Sequence, residues 1–158
     1  MPTEPHNYAE RPNTIPWPPI LLGFCLLGPL LLAKVIPLDT GQRFVELGLG
    51  MLAAAFVIDG WVFETFRKYR TEIMPHKPAT KLVTDGPFKY SRNPVYFGNV
   101  MIIMAGAAFT GSAWFLISAI IFVFAVTRLA IVREEQHLAA LFGQEWEEYR
   151  ARVRRWFG

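Results

Sequence analysis

The sequence predicts an all-α membrane protein of about four transmembrane helices, and three observations predict it. Four apolar stretches of near-spanning length are separated by polar segments, hydrophobic residues make up 53% of the 158-residue chain, and the mean hydropathy is +0.26. That balance is too apolar for an ordinary soluble domain of this size, so apolar surface is expected to face lipid.

The first span runs from Pro18 to Ile36. It has no basic n-region and no small-residue cleavage site, so it reads as a retained helix rather than a signal peptide, and the polar residues 1–16 read as a loose tail. Pro29 predicts a kink, tolerated in a membrane when a neighbour takes the carbonyl it leaves without a donor. Cys25, the only cysteine, sits in this apolar run and reads as packing. A single cysteine excludes a disulfide framework or a cysteine zinc cluster within one chain.

The second span runs from Phe44 to Phe63, the third from Pro94 to Thr110 and the fourth from Ala113 to Val132. Each is near the roughly 20 residues a helix needs to cross about 30 Å of hydrocarbon, the third a little short. Glu46 and Asp59 in the second span read as boundary carboxylates, because a charge is costly in the hydrocarbon. Trp17, Trp61 and Trp114 read as interface-belt aromatics. Only Gly111 and Ser112 join the last two spans, which forces an antiparallel hairpin. Residues 80–96 and 128–142 therefore meet at one end.

Basic residues identify that end. Arg67, Lys68, Arg70, Lys77, Lys81, Lys89 and Arg92 lie between spans two and three, and Arg133, Arg150, Arg152, Arg154 and Arg155 follow span four, against Arg43 alone in the 38–43 loop. Positive charge favours the cytoplasmic side, so the long loop and both termini are expected there, in a bacterial inner membrane. The formal charge of +3 is carried beside apolar spans, which fits anionic lipid headgroups as partners and not nucleic acid.

Two polar segments flank the hairpin: GPFKYSRNPVYFG over 86–98, and REEQHLAALFGQEWEEYRARV from Arg133. Residues 80–88 (TKLVTDGPF) read as an extended strand or loop ending in an Asp-Gly-Pro turn, with Gly86 supplying backbone freedom. Extended backbone offers amide and carbonyl groups to a purine edge. Arg92, Asn93 and Tyr96 stand at the mouth of the third helix, Asn93 as its cap and Pro94 in its first turn. Glu134 and Glu135 project roughly 100 degrees apart on a helix, so one of them is expected to face the site. Leu138, Leu141, Phe142, Trp146, Tyr149 and Val153 recur at helical steps, predicting an amphipathic helix that either packs on headgroups or folds over the loop as a lid. Simpler roles stand beside these: Arg92 as an anchor to lipid phosphate, and the glutamates as salt-bridge partners of Arg92 and Arg133.

Leu82, Val83, Gly86, Pro87, Arg92, Asn93, Pro94 and Tyr96, followed after a hairpin by Glu134, Glu135, Leu138, Phe142, Gly143, Tyr149 and Val153, together form a pattern that resembles the isoprenylcysteine carboxyl methyltransferase family and its phospholipid methyltransferase relatives. The resemblance covers residues 76–155. It implies a single integral membrane domain over 1–158, with two N-terminal spans in 18–66 and the catalytic region after them. It also implies S-adenosyl-L-methionine as cofactor at the cytosolic face, and a lipophilic or lipid-linked methyl acceptor. By matching positions it assigns cofactor contacts to Thr80, Lys81, Leu82, Val83, Gly86, Phe88, Asn93, Pro94, Val95, Tyr96 and Glu134. Catalytic roles fall to Arg92, Glu134 and Glu135, and no metal is implied.

Two positions depart from the family. Relatives acting on prenylated cysteine often carry His where this chain has Asn93, and the eukaryotic ones carry arginine where it has Ala130; Arg128 and Arg133 flank that position. The pattern therefore specifies the methyl donor and not the acceptor. The expected chemistry is in-line displacement at the sulfonium methyl, promoted by positioning and electrostatics in a water-poor pocket. His76 and His137, the histidines near these segments, read as surface residues, and without a clear base an anionic acceptor, or an amine that deprotonates in solvent, is favoured. The competing classes are a small four-span transporter, which would need its charges near the middle of the spans, and a lipid-binding membrane assembly factor that uses the basic loop to hold anionic lipid.

Overall fold

The computed structural model describes residues 17–69 and 81–157. Their secondary structure is helical, with one isolated bridge between Asp39 and Ser112. Helix α1 covers Trp17–Val35, α2 Val45–Tyr69, α3 Pro94–Thr110, α4 Ala113–Val126, α5 Val132–Phe142 and α6 Gln144–Arg152, with a short 3-10 turn at Gly86–Lys89. Among the described residues, three helices are long and apolar enough to cross a membrane: α1, α2 and the continuous stretch Ala113–Phe142. The fourth expected span, α3, is a shorter apolar helix.

Helix α2 packs along α3, α1 along α4, and α3 against α4. The core lies between α1, α3 and α4, around Cys25, Ile103, Phe115, Phe122 and Val126. Phe24, Leu31, Phe56, Val57, Ile120 and Phe124 point outward, as helices bathed in lipid require. Cys25 is buried and unpaired, a packing residue.

Helix α1 continues through Pro29. Proline has no N–H for the carbonyl four residues back, which here is Cys25. The Ser118 hydroxyl of α4 donates to that carbonyl at 2.8 Å. The same pair therefore satisfies the backbone and fastens α1 to α4.

At one end of the bundle, Gly111 adopts φ 70° as the C-cap of α3. A side chain there would come within 2.8 Å of the Gln42 carbonyl. The loop before α2 is stitched onto this turn by Thr40 N–H to the Gly111 carbonyl (2.7 Å), Ala113 N–H to Leu38 and Phe44 N–H to Ala108. The opposite end carries the 81–93 segment, α5, α6 and the C-terminal residues.

The helix of the fourth span runs on past Val132 to Phe142, with a π-helical segment at Thr127–Ile131, so Glu134 and Glu135 stand on helix as expected. One expectation is corrected: the amphipathic segment is not one helix. Gly143, at φ 50° and ψ −117°, breaks it into α5 and α6.

Candidate active site

The 81–85 segment is irregular rather than a strand, so the loop alternative holds. Among the described residues, no backbone hydrogen bond involves Lys81 to Thr84. Lys81 is exposed, Leu82 half-buried and Val83 buried; Thr80 lies outside the described residues, as does His76.

Gly86 then turns the chain against α2. Its φ is 60°, and a Cβ there would lie 2.4 Å from Thr65 Oγ1 and 3.3 Å from Trp61 Nε1. Left-handed backbone and close approach both require glycine here. Phe88 packs on Phe66 of α2 with centroids 5.3 Å apart. Asp85 accepts from the Tyr69 hydroxyl and pairs with Lys89 at 3.2 Å, contacts that hold its carboxyl below the usual range. The loop is thus pinned to the end of α2.

Pro94 is buried at the start of α3, as expected, and Val95 is half-buried beside it. Asn93 is not a side-chain cap. Its amide instead donates to the Arg155 carbonyl at 3.1 Å, an acceptor that the Ser91 hydroxyl also reaches at 3.1 Å. The Arg92 N–H donates to the Arg154 carbonyl at 2.9 Å. Phe157 lies on Phe97 with centroids 4.7 Å apart. Residues 153–157 therefore form a strap across the start of α3.

Two side-chain clusters join α5 to its neighbours at this end. In the first, the Tyr96 hydroxyl donates to Glu134 Oε1 at 2.7 Å, joining α3 to α5. In the second, Glu135 receives Arg155 through Nε at 3.0 Å and Nη2 at 2.6 Å, and Arg92 Nη1 lies 3.2 Å from Glu135 Oε1. The two glutamates thus both turn inward, but to different partners, and the salt bridge foreseen for Arg92 forms with Glu135.

The Arg92 side chain is only 10% exposed, and its guanidinium lies 5.5 Å from the centre of the Trp146 ring. Despite the short distance to Glu135, Arg92 Nε and Nη1 are buried and direct no hydrogen bond at an acceptor among the described residues. The contact is a charge pair with donor capacity left over. Burial lowers the Arg92 pKa, with Glu135 opposing and Arg155 adding to the shift. The bidentate hydrogen bond to Glu135 raises that of Arg155.

Helix α6 closes this end. Trp146 and Tyr149 are buried, and the Tyr149 hydroxyl donates to the Phe88 carbonyl at 2.8 Å. Helix α6 thus folds against the turn that carries Phe88. Ala130 is buried in the π-helical segment, while Arg128 is exposed, so Arg128 does not reach into the position Ala130 leaves. His137 is buried rather than on the surface.

Ser91 and Arg155 are not among the site residues that the sequence marks. In the sequence Arg155 counts only toward the cytoplasmic positive charge, and nothing in its spacing singles it out; the one signal is a basic pair followed by two aromatics, Trp156 and Phe157.

Residues 44–145 match the family described as phospholipid methyltransferase. That region starts just before α2 and ends in the first turn of α6. An uncharacterized protein of Haemophilus influenzae is 32% identical over 62 residues, which are 39% of this chain and 98% of that protein. The nickel-cobalt-cadmium resistance protein NccN of Alcaligenes xylosoxydans xylosoxydans is 32% identical over 119 residues, which are 75% of this chain and 53% of NccN; the chain thus spans about half the length of that relative. No solved structure matches. With a helical membrane bundle and a family match over well more than half its length, the chain belongs to the phospholipid methyltransferase family of membrane methyltransferases.

Proposed function

We propose that the protein transfers a methyl group from S-adenosyl-L-methionine to a lipophilic acceptor at the cytosolic face of a membrane. The observation that carries this reading is the buried guanidinium of Arg92, with donors Nε and Nη1 unmatched, beside the Tyr96–Glu134 pair at one end of an apolar bundle.

These residues fit the cofactor. The guanidinium of Arg92 suits its carboxylate, and the Glu134 carboxylate suits its ammonium or ribose hydroxyls, each a charge-assisted hydrogen bond strengthened where water is excluded. The backbone amides and carbonyls of Leu82 to Thr84, which make no backbone hydrogen bonds among the described residues, suit a purine edge. When bound, S-adenosylmethionine supplies an electrophilic methyl group on a sulfonium sulfur.

The chain's own part is to bind, orient and exclude water. Tyr96 holds Glu134 in place, Phe88 closes the α2 side, and α6 with the strap covers the polar end. The apolar faces of α3 and α4 suit a lipid-soluble acceptor, recognised by shape. The alternative of a transporter finds less support, because the charged side chains that meet one another, Arg92, Glu135 and Arg155, stand at one end of the bundle and not along its middle.

Calorimetry with S-adenosylhomocysteine on detergent-purified protein tests the cofactor, with Glu134→Gln expected to weaken binding. Label transfer from S-adenosylmethionine into membrane lipid extract, small thiols and a prenylcysteine analogue tests the acceptor. No heat with the unmodified protein would defeat the proposal.

A further inference from the structure

The C-terminal strap lies beyond the family-matched residues 44–145, yet it supplies the partners of three residues in the matched motif. Its carbonyls hold Ser91, Arg92 and Asn93 through the bonds to Arg154 and Arg155. Its one inward guanidinium, that of Arg155, takes both oxygens of Glu135.

The geometry around Glu135 is a competition between two arginines. A carboxylate forms its best pairing with one guanidinium fork, two parallel N–H to oxygen bonds. Arg155 has that position, so Arg92 is left with proximity to Glu135 at 3.2 Å but with Nε and Nη1 undirected and buried. Both guanidinium groups turn to the one carboxylate of Glu135. A buried cation with unmatched donors is costly unless a ligand anion completes it.

We infer that Arg155 is a positioning residue: by holding Glu135 in its own fork it keeps the Arg92 guanidinium available to the carboxylate of the bound cofactor. This rests on the proposed cofactor reading and extends it to a residue beyond the matched residues 44–145. Arg155 does not touch the ligand. Without it, Glu135 turns to Arg92, satisfies its donors and cancels its charge, and carboxylate binding is lost while the rest of the site remains.

The test compares two ligands by calorimetry: S-adenosylhomocysteine, and its decarboxylated analogue, which keeps the amine and the nucleoside. With the unmodified protein S-adenosylhomocysteine is expected to bind more tightly. Arg155→Ala is expected to weaken S-adenosylhomocysteine about tenfold and to leave the analogue within about twofold, so that the ratio of the two affinities collapses. Arg155→Lys, which keeps the charge but not the fork, is expected to fall between and serves as the folded variant if alanine destabilises the strap. Equal weakening of both ligands would mean a merely structural strap and would overturn the inference, as would an unchanged ratio. If the unmodified protein binds the analogue as tightly as S-adenosylhomocysteine, the inference falls but the adenosine site stands. Binding of neither ligand removes the cofactor reading itself, and the inference with it.

Discussion

Tyr96 of α3 donates its hydroxyl to Glu134 of α5 across 2.7 Å, so a residue of the first polar motif directly holds a residue of the second. Removing the hydroxyl leaves a buried acceptor without its partner, which costs about 1–3 kcal/mol. Tyr96→Phe is expected to lower stability in detergent by about that amount and to weaken S-adenosylhomocysteine binding. Unchanged affinity in a folded Tyr96→Phe protein would remove Tyr96 from the site.

The Ser118 hydroxyl stands in for the N–H that Pro29 lacks. Ser118→Ala is expected to cost about 1 kcal/mol, within the range of interhelical hydrogen bonds in membranes. In a Pro29→Ala background the restored N–H can take the Cys25 carbonyl, and the same change is expected to cost much less. Equal costs in the two backgrounds, from thermal unfolding in detergent, would refute the pairing.

Gly86→Ala meets two obstacles, a left-handed backbone and Thr65 Oγ1 at 2.4 Å from the new carbon. A loss of about 1–3 kcal/mol is expected from the backbone alone. Adding Thr65→Ala is expected to recover part of the stability and not all, because it makes room without changing φ. Full recovery would show that the strain is purely steric.

Asp85 titrates in a way that tests how the loop is pinned. Its carboxyl lies below the ordinary value because of the Tyr69 hydroxyl first and Lys89 second. A depressed folded pKa means that the stabilisation is complete above the unfolded value, about 3.9, and is lost as pH falls through the lower folded value. Hydrogen exchange over residues 81–89, corrected for intrinsic rates, is expected to hold from pH 7 to 5 and to accelerate only at lower pH. In Asp85→Asn this acid-dependent step should vanish; if it persists, another group is responsible.

Much of the fold was legible because its signals are local. Apolar runs long enough to span lipid mark α1, α2 and α4; Gly111 and Ser112 mark the hairpin; Pro94 marks the start of α3. Gly143 stands in the amphipathic segment, but whether it is tolerated in a helix or breaks one depends on what each half packs against. Here Trp146 and Tyr149 bury against the loop, and the break follows. Asn93 looked like a cap by position, and the nearby Arg155 carbonyl took its amide instead.

The sequence by itself determined the membrane class, the order of the helices and the two polar motifs, since each depends on composition or periodicity within one segment. Only the tertiary structure decided which glutamate meets which partner, that Arg155 occupies Glu135, and that Arg92 is buried with donors to spare. Those are contacts between residues 20 or more positions apart, and they follow from how α3, α5, α6 and the strap converge, a geometry that no spacing within one segment encodes.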